Sequence, residues 1–293
     1  MYPESFQYFS PRELPEALSL LNQYREKSRV LAGGMSLIPL LKSRLAVVPY
    51  LIDIGKIKEL SQITEQGDSI SIGTMVTDYE LETSSLVRKK LPLVTEVSHW
   101  IGDAQVRNRG TMGGSLCHAD PSGDWAACVI ALRGEMKVVN KNRERTIDAD
   151  HFFVDSFTTA LEPDEMLKSV TFRVPPGSSG YDYQLMERKA GDFSTVGVAV
   201  QLTLGQDHKI LSIGIGMTSV ASKPIRAAKA EQFLKGKLPD AEMIKEAGRI
   251  AAGETDPPND VLRGSPEFKK EMAGIFTKRA LKNALERAGV VVS

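Results

Sequence analysis

Apolar positions along the chain change period several times, and each change marks an element. Leu14, Leu18 and Leu21 share a face at helical spacing behind Ser10-Pro-Arg-Glu13, where Ser caps, Pro takes the first helical position and Glu closes a capping box. A helix over 10–27 is predicted. Val30-Leu31-Ala32 reads as a short strand running into Gly33-Gly34, and Ser36 opens a helix over 37–44. Residues 50–54 form a strand and 57–60 a turn. The alternation over 63–73 folds about Gly67-Asp68 as a hairpin. Thr77 opens a helix to about Leu86, Leu91-Pro92 starts another to Ile101, and 126–132 is apolar enough to be a buried helix. Residues 136–140, 145–147 and 169–174 read as strands, with a helix-prone 150–153 between them. Val174-Pro-Pro-Gly-Ser-Ser-Gly180 is the sharpest composition break. Beyond it come strands over 181–187, 195–204 and 209–217, then helices over 227–235, 241–252 and 268–288.

These elements define an α+β chain. The expected division is 1–176 and then 177–293, a three-stranded antiparallel sheet with helices. At 293 residues the length suits two domains. Lys plus Arg and Asp plus Glu both number 37, so no overall field favours nucleic acid or an anionic bilayer. Cys117 and Cys128 form no C-x-x-C pair, and His99, His118, His151 and His208 lack ligand spacing, so no metal or iron–sulfur site is expected on this chain. The N-terminus has no secretory pattern and no run is long enough to span a bilayer, which together with the two cysteines implies a reduced, cytoplasmic setting.

The candidate chemistry lies in two glycine-rich stretches. Gln105-Val-Arg-Asn-Arg-Gly-Thr-Met-Gly-Gly-Ser115 and Ala32-Gly33-Gly34-Met35-Ser36 each combine small residues with a hydroxyl, and each reads as strand-led and as opening a helix. Either is a plain turn or a cradle whose N–H groups face a phosphate; together they could clamp one diphosphate. Neither has the spacing of a dinucleotide fingerprint or a P-loop. Asp120 or Asp124 caps the apolar helix, or Asp124 accepts from sugar or ribityl hydroxyls. Arg107 and Arg109 are solvated loop residues or charges beside a diphosphate or an acidic partner. Glu187-Arg-Lys-Ala-Gly-Asp-Phe193 reads as a charged hairpin end that could reach back to a cofactor. No nucleophile and base pair up, so no catalytic residue is assigned.

Ala32 to Ser36, Gln105 to Ser115 and Ala119-Asp-Pro-Ser-Gly-Asp124 resemble the two flavin-diphosphate motifs of the FAD-binding medium subunits of molybdenum hydroxylases. This is the family of aerobic carbon monoxide dehydrogenase and of the xanthine dehydrogenase flavin domain. The likeness continues through Pro163 to Ser169, Glu187 to Phe193 and Asp260 to Ser265. It implies an FAD domain of the vanillyl-alcohol-oxidase (PCMH) type with two α+β subdomains, about 1–55 and 56–176, followed by the smaller domain. It also implies FAD held by Ala32, Gly33, Gly34, Met35 and Ser36 and by Thr111, Met112, Gly113, Gly114 and Ser115. Asp124 would bind cofactor hydroxyls, Leu167 would pack along the cofactor, and Lys189 would lie near the flavin edge. Met35, Ser115 and Gln184-Leu185 depart from the usual residues. The implied partners are an iron–sulfur small subunit and a molybdopterin large subunit, in a dimer of heterotrimers. Electrons would pass through this chain to a quinone, NAD or oxygen. Two other readings stay open: a stand-alone FAD oxidoreductase, and an assembly subunit that has lost flavin.

Overall fold

The computed structural model describes residues 2–292. It opens with β1 (Gln7–Phe9), too short to show an alternation. Helix α1 (Leu14–Tyr24) begins later than the Ser10 pattern suggests: Glu13 occupies the cap position, and the Ser10 hydroxyl is buried without a partner. Pro15 is the reason. In a helix begun at Pro11 its ring would collide with a carbonyl one turn back, whereas a start at Leu14 places it in the first turn.

Strand β2 (Ser28–Leu31), helix α2 (Leu37–Lys42) and strand β3 (Tyr50–Asp53) complete a small parallel sheet in the order β1-β3-β2. Leu14, Ala17, Leu18 and Leu21 of α1 cover it, packing with Ile52 and Ile54.

Strands β4 (Ile63–Gln66) and β5 (Ser69–Gly73) form the expected hairpin about Gly67, whose φ is 61°. The single helix expected from Thr77 is two, α3 (Asp78–Thr83) and α4 (Ser85–Lys90). Ser84 turns extended between them and caps the second by accepting from the Val87 N–H. Helices α5 (Pro92–Trp100), α6 (Ala104–Arg107), α7 (Met112–His118) and α8 (Asp124–Ala131) follow. Next come β6 (Glu135–Val139), β7 (Glu144–Asp148), α9 (Ala149–Phe152), a small hairpin of β8 (Phe153–Asp155) and β9 (Thr158–Thr159), and β10 (Met166–Arg173). The second sheet is antiparallel in the order β4-β5-β10-β6-β7.

Strands β11 (Ser179–Glu187), β12 (Ser194–Leu204) and β13 (Ile210–Thr218) are joined at the edge by β14 (Ile225–Arg226), so the last sheet has four strands and not the three expected. Two residues carry no readable period. Helices α10 (Ala228–Leu234), α11 (Ala241–Gly253) and α12 (Pro266–Arg287) back this sheet.

Seven of the eight residues of α8 are buried, so the helix needs cover on every side. The last sheet supplies one side. Every residue of β12 is buried, and its alternation divides them: Val196, Val198, Val200, Leu202 and Leu204 pack toward α12, while Ala199 belongs to the cluster that contains α8. On β13, a side chain at Gly214 or Gly216 would collide with the carbonyl oxygens of Ala131 or Ala127, so glycine lets the backbone of α8 lie directly on the sheet. Val97 of α5, Leu116 of α7 and Phe172 of β10 belong to the cluster around the rest of α8. No described helix is long and apolar enough to cross a membrane.

Candidate functional site

The first glycine stretch links β2 to α2. Gly34 has φ 81°, a left-handed conformation that glycine adopts without strain. The main-chain N–H groups of Gly33, Gly34, Met35 and Ser36 meet no acceptor among the described residues, and the Ser36 side chain makes no cap bond. Unpaired donors at a helix start are suited to an anion. Gly33, Gly34 and Met35 border a groove of about 630 Å³ whose other lining residues are Ile38, Pro39, Lys42, Ser43 and Arg109. Lys42 and Arg109 are exposed, and neither has a salt bridge among the described residues.

The second stretch differs from its expected form. It is led by the one-turn helix α6 and not by a strand, and Met112 to Ser115 already lie within α7. Thr111 caps that helix: its hydroxyl oxygen accepts from the Gly114 N–H at 3.1 Å, and its carbonyl accepts from the Ser115 N–H at 3.0 Å. The Met112 N–H donates to the Val76 carbonyl at 3.3 Å. Most donors of this stretch are therefore spent inside the protein, and the first stretch holds the larger set of free ones. Gly113 is buried against Thr74, and a side chain there would collide with it.

The two stretches touch. A side chain at Gly33 would collide with the Arg109 carbonyl oxygen, and one at Gly114 would come within 3.3 Å of the Ala32 Cβ. Farther along, a side chain at Gly123 would come within 3.7 Å of the Ser115 Oγ. Ala32, Gly114, Ser115 and Gly123 thus lie close to one another between the groove and Asp124.

Neither aspartate caps α8 with its side chain. Gly123 holds the cap position, and Asp120 instead accepts from the Ser122 N–H at 2.9 Å. Asp124 accepts from the Tyr183 hydroxyl at 2.5 Å, and burial pushes its carboxyl up to about 6. Burial, then the neighbouring Asp124, pushes the Tyr183 phenol well above its ordinary value. The end of β13 and the residue after it fix this helix start, with the Ser219 N–H donating to the Pro121 carbonyl at 2.8 Å and the Thr218 hydroxyl to that of Gly123 at 3.1 Å.

Other sequence candidates lie apart from the groove. Leu167 has no exposed surface and packs in the core with Leu116 and Val138. Lys189 is exposed at the end of the β11–β12 hairpin, where Arg188 pairs with Asp192 at 3.2 Å and Gly191 rests on Gly102. Arg107 is committed to Glu82 at 2.9 Å and to the carbonyls of Ile101 and Gly102. Arg109 reaches the groove. Lys42 and Tyr183 went unrecognised in the sequence: Lys42 reads as the polar end of an amphipathic helix, and no local pattern ties Tyr183 to a residue 59 positions away.

Free N–H donors, two unpaired cations and close glycine contacts fit an elongated anion such as a diphosphate, with Asp124 placed farther along for hydroxyl groups. Residues 4–175 match the family described as the FAD binding domain in molybdopterin dehydrogenase, and 181–284 match the CO dehydrogenase flavoprotein C-terminal domain. The chain belongs to the family of FAD-binding medium subunits of molybdenum hydroxylases, an oxidoreductase family, and FAD is its cofactor. The carbon monoxide dehydrogenase medium chains of Hydrogenophaga pseudoflava and Afipia carboxidovorans are 38% and 36% identical to it, each over 98% of this chain and 99% of theirs. The structure of carbon monoxide dehydrogenase from Hydrogenophaga pseudoflava superposes with a TM-score of 0.95 at 38% identity, covering 98% of this chain and 99% of that one.

Proposed function

We propose that this chain is the electron-transfer subunit of a molybdenum hydroxylase complex, taking electrons from iron–sulfur clusters on a small subunit and passing them to an external acceptor. The contact between the two glycine stretches, with unpaired donors facing one groove, is the observation that carries this reading. When bound, FAD supplies the redox chemistry. The chain's own residues bind and orient it. The N–H groups of Gly33 to Ser36 hold the diphosphate, and Lys42 and Arg109 balance its charge. The Ser115 hydroxyl adds a donor, and Asp124 accepts from cofactor hydroxyls while Tyr183 holds its other side. Division of labour at residue 176 places the diphosphate residues in the N-terminal domain and the Tyr183 support in the C-terminal one. Substrate hydroxylation belongs to a molybdopterin-bearing large subunit, in a cytoplasmic dimer of heterotrimers.

The test is to purify the chain with whatever chains accompany it, release the flavin and identify it, and measure iron and molybdenum in the same sample. Stoichiometric FAD with iron and molybdenum on separate polypeptides is the expected result. An intact complex that holds iron and molybdenum but no flavin contradicts the proposal.

A further inference from the structure

Asp78 opens α3 and is only 2% exposed. Three elements meet on it. Its N–H donates to the Gly110 carbonyl at 3.0 Å, and Thr77 and Thr111 on either side form an antiparallel bridge. Its Oδ1 accepts from the Trp125 indole N–H at 2.8 Å, and its Oδ2 occupies the space that a side chain at Gly110 would fill. Trp125 is itself 1% exposed and directly follows Asp124 on α8. The Thr77 cap is satisfied separately by Glu80, so Asp78 is not needed to start its own helix.

We propose that Asp78 is a positioning residue for the flavin site, setting the spacing between the Arg109 to Thr111 turn and Asp124 by gripping Trp125 with its side chain and Gly110 with its main chain. This inference rests on the FAD reading above. A buried hydrogen bond to a carboxyl is a strong tether, and its loss lets α8 and the turn shift independently. Protonation adds a second consequence. Burial is the main reason the Asp78 carboxyl is raised to about 7, with Asp124 also raising it, while Trp125 and Arg107 lower it. Arg107 is already paired with Glu82. Above that pH Asp78 holds the Trp125 N–H more firmly but carries negative charge beside the turn that meets the diphosphate, and the repulsion outweighs the firmer grip, so FAD binding weakens.

The experiment titrates the full chain into FAD and reads binding from the flavin's own fluorescence, so every variant, with or without Trp125, reports in the same way. Asp78→Ala and Trp125→Phe each weaken FAD binding roughly tenfold or more, and the double variant is no worse than the poorer single one. Asp78→Asn keeps an acceptor for Trp125 and stays within about threefold of the parent near neutral pH. The parent's dissociation constant rises more steeply as pH passes through 7 than that of Asp78→Asn, in which Asp124, raised to about 6, is the site carboxyl that still titrates. Folded Asp78→Ala with parental affinity overturns the proposal; should that variant fail to fold, Trp125→Phe with parental affinity overturns it equally. A parent chain that takes up no FAD overturns the flavin reading and this proposal with it.

Discussion

Gly33 matters for the side chain it does not have. Its Cα faces the Arg109 carbonyl, and a methyl group there would separate the two glycine stretches. Gly33→Ala is expected to cost about 1–3 kcal/mol in chemical denaturation, and to lower FAD occupancy even where the protein remains folded. Asp78 gives a prediction in pH. Its carboxyl is held at about 7 in the folded chain against 3.8 as the ordinary value, so between those two values the folded state keeps a proton that the unfolded state has lost. Stability therefore falls as pH rises through that window. Asp78→Asn removes the cost, so its melting temperature relative to the parent should climb from about pH 4 to about pH 7 and level off above that. An unchanged difference would show that Asp78 titrates normally. At this scale the sequence displayed the residue types but not their state: nothing in Thr111 to Ser115 says that Thr111 absorbs two of its neighbours' donors, and nothing in Arg107 says that Glu82 neutralises it.

Elements were the most legible level. The β4–β5 hairpin follows from alternation and Gly67, and α8 from an unbroken apolar run. Errors arose where a longer-range or steric effect competes with local pattern. Pro15 moves the start of α1 past an otherwise complete cap signal, Ser84 breaks one amphipathic helix into α3 and α4, and β14 exists only because β13 offers it an edge. The first stretch and α2 act as one unit, with free main-chain donors at one end and Lys42 at the other. Replacing Lys42 and Arg109 together by Ala should weaken FAD binding by roughly tenfold at low salt and flatten its dependence on ionic strength, leaving thermal stability nearly unchanged. Titrations at two salt concentrations check this.

The whole molecule is organised by α8 lying between its surrounding core and the last sheet. That arrangement lets Tyr183 of β11 support Asp124 and lets β13 anchor the loop ahead of it. Local sequence patterns do not contain this, since Gly214 and Gly216 read as ordinary strand residues until α8 is seen resting on them. Gly216→Val should wedge α8 away from the sheet, lowering stability by about 1–3 kcal/mol and loosening flavin without touching the groove. Thermal unfolding and flavin release measured on the same sample check both effects. The cofactor grip itself is tested most directly by an experimental structure of the flavin-loaded protein. Diphosphate oxygens within hydrogen-bond distance of the Gly33 to Ser36 N–H groups, with Lys42 and Arg109 alongside, are the predicted result. A diphosphate seated elsewhere, with those four donors facing only solvent, would contradict it.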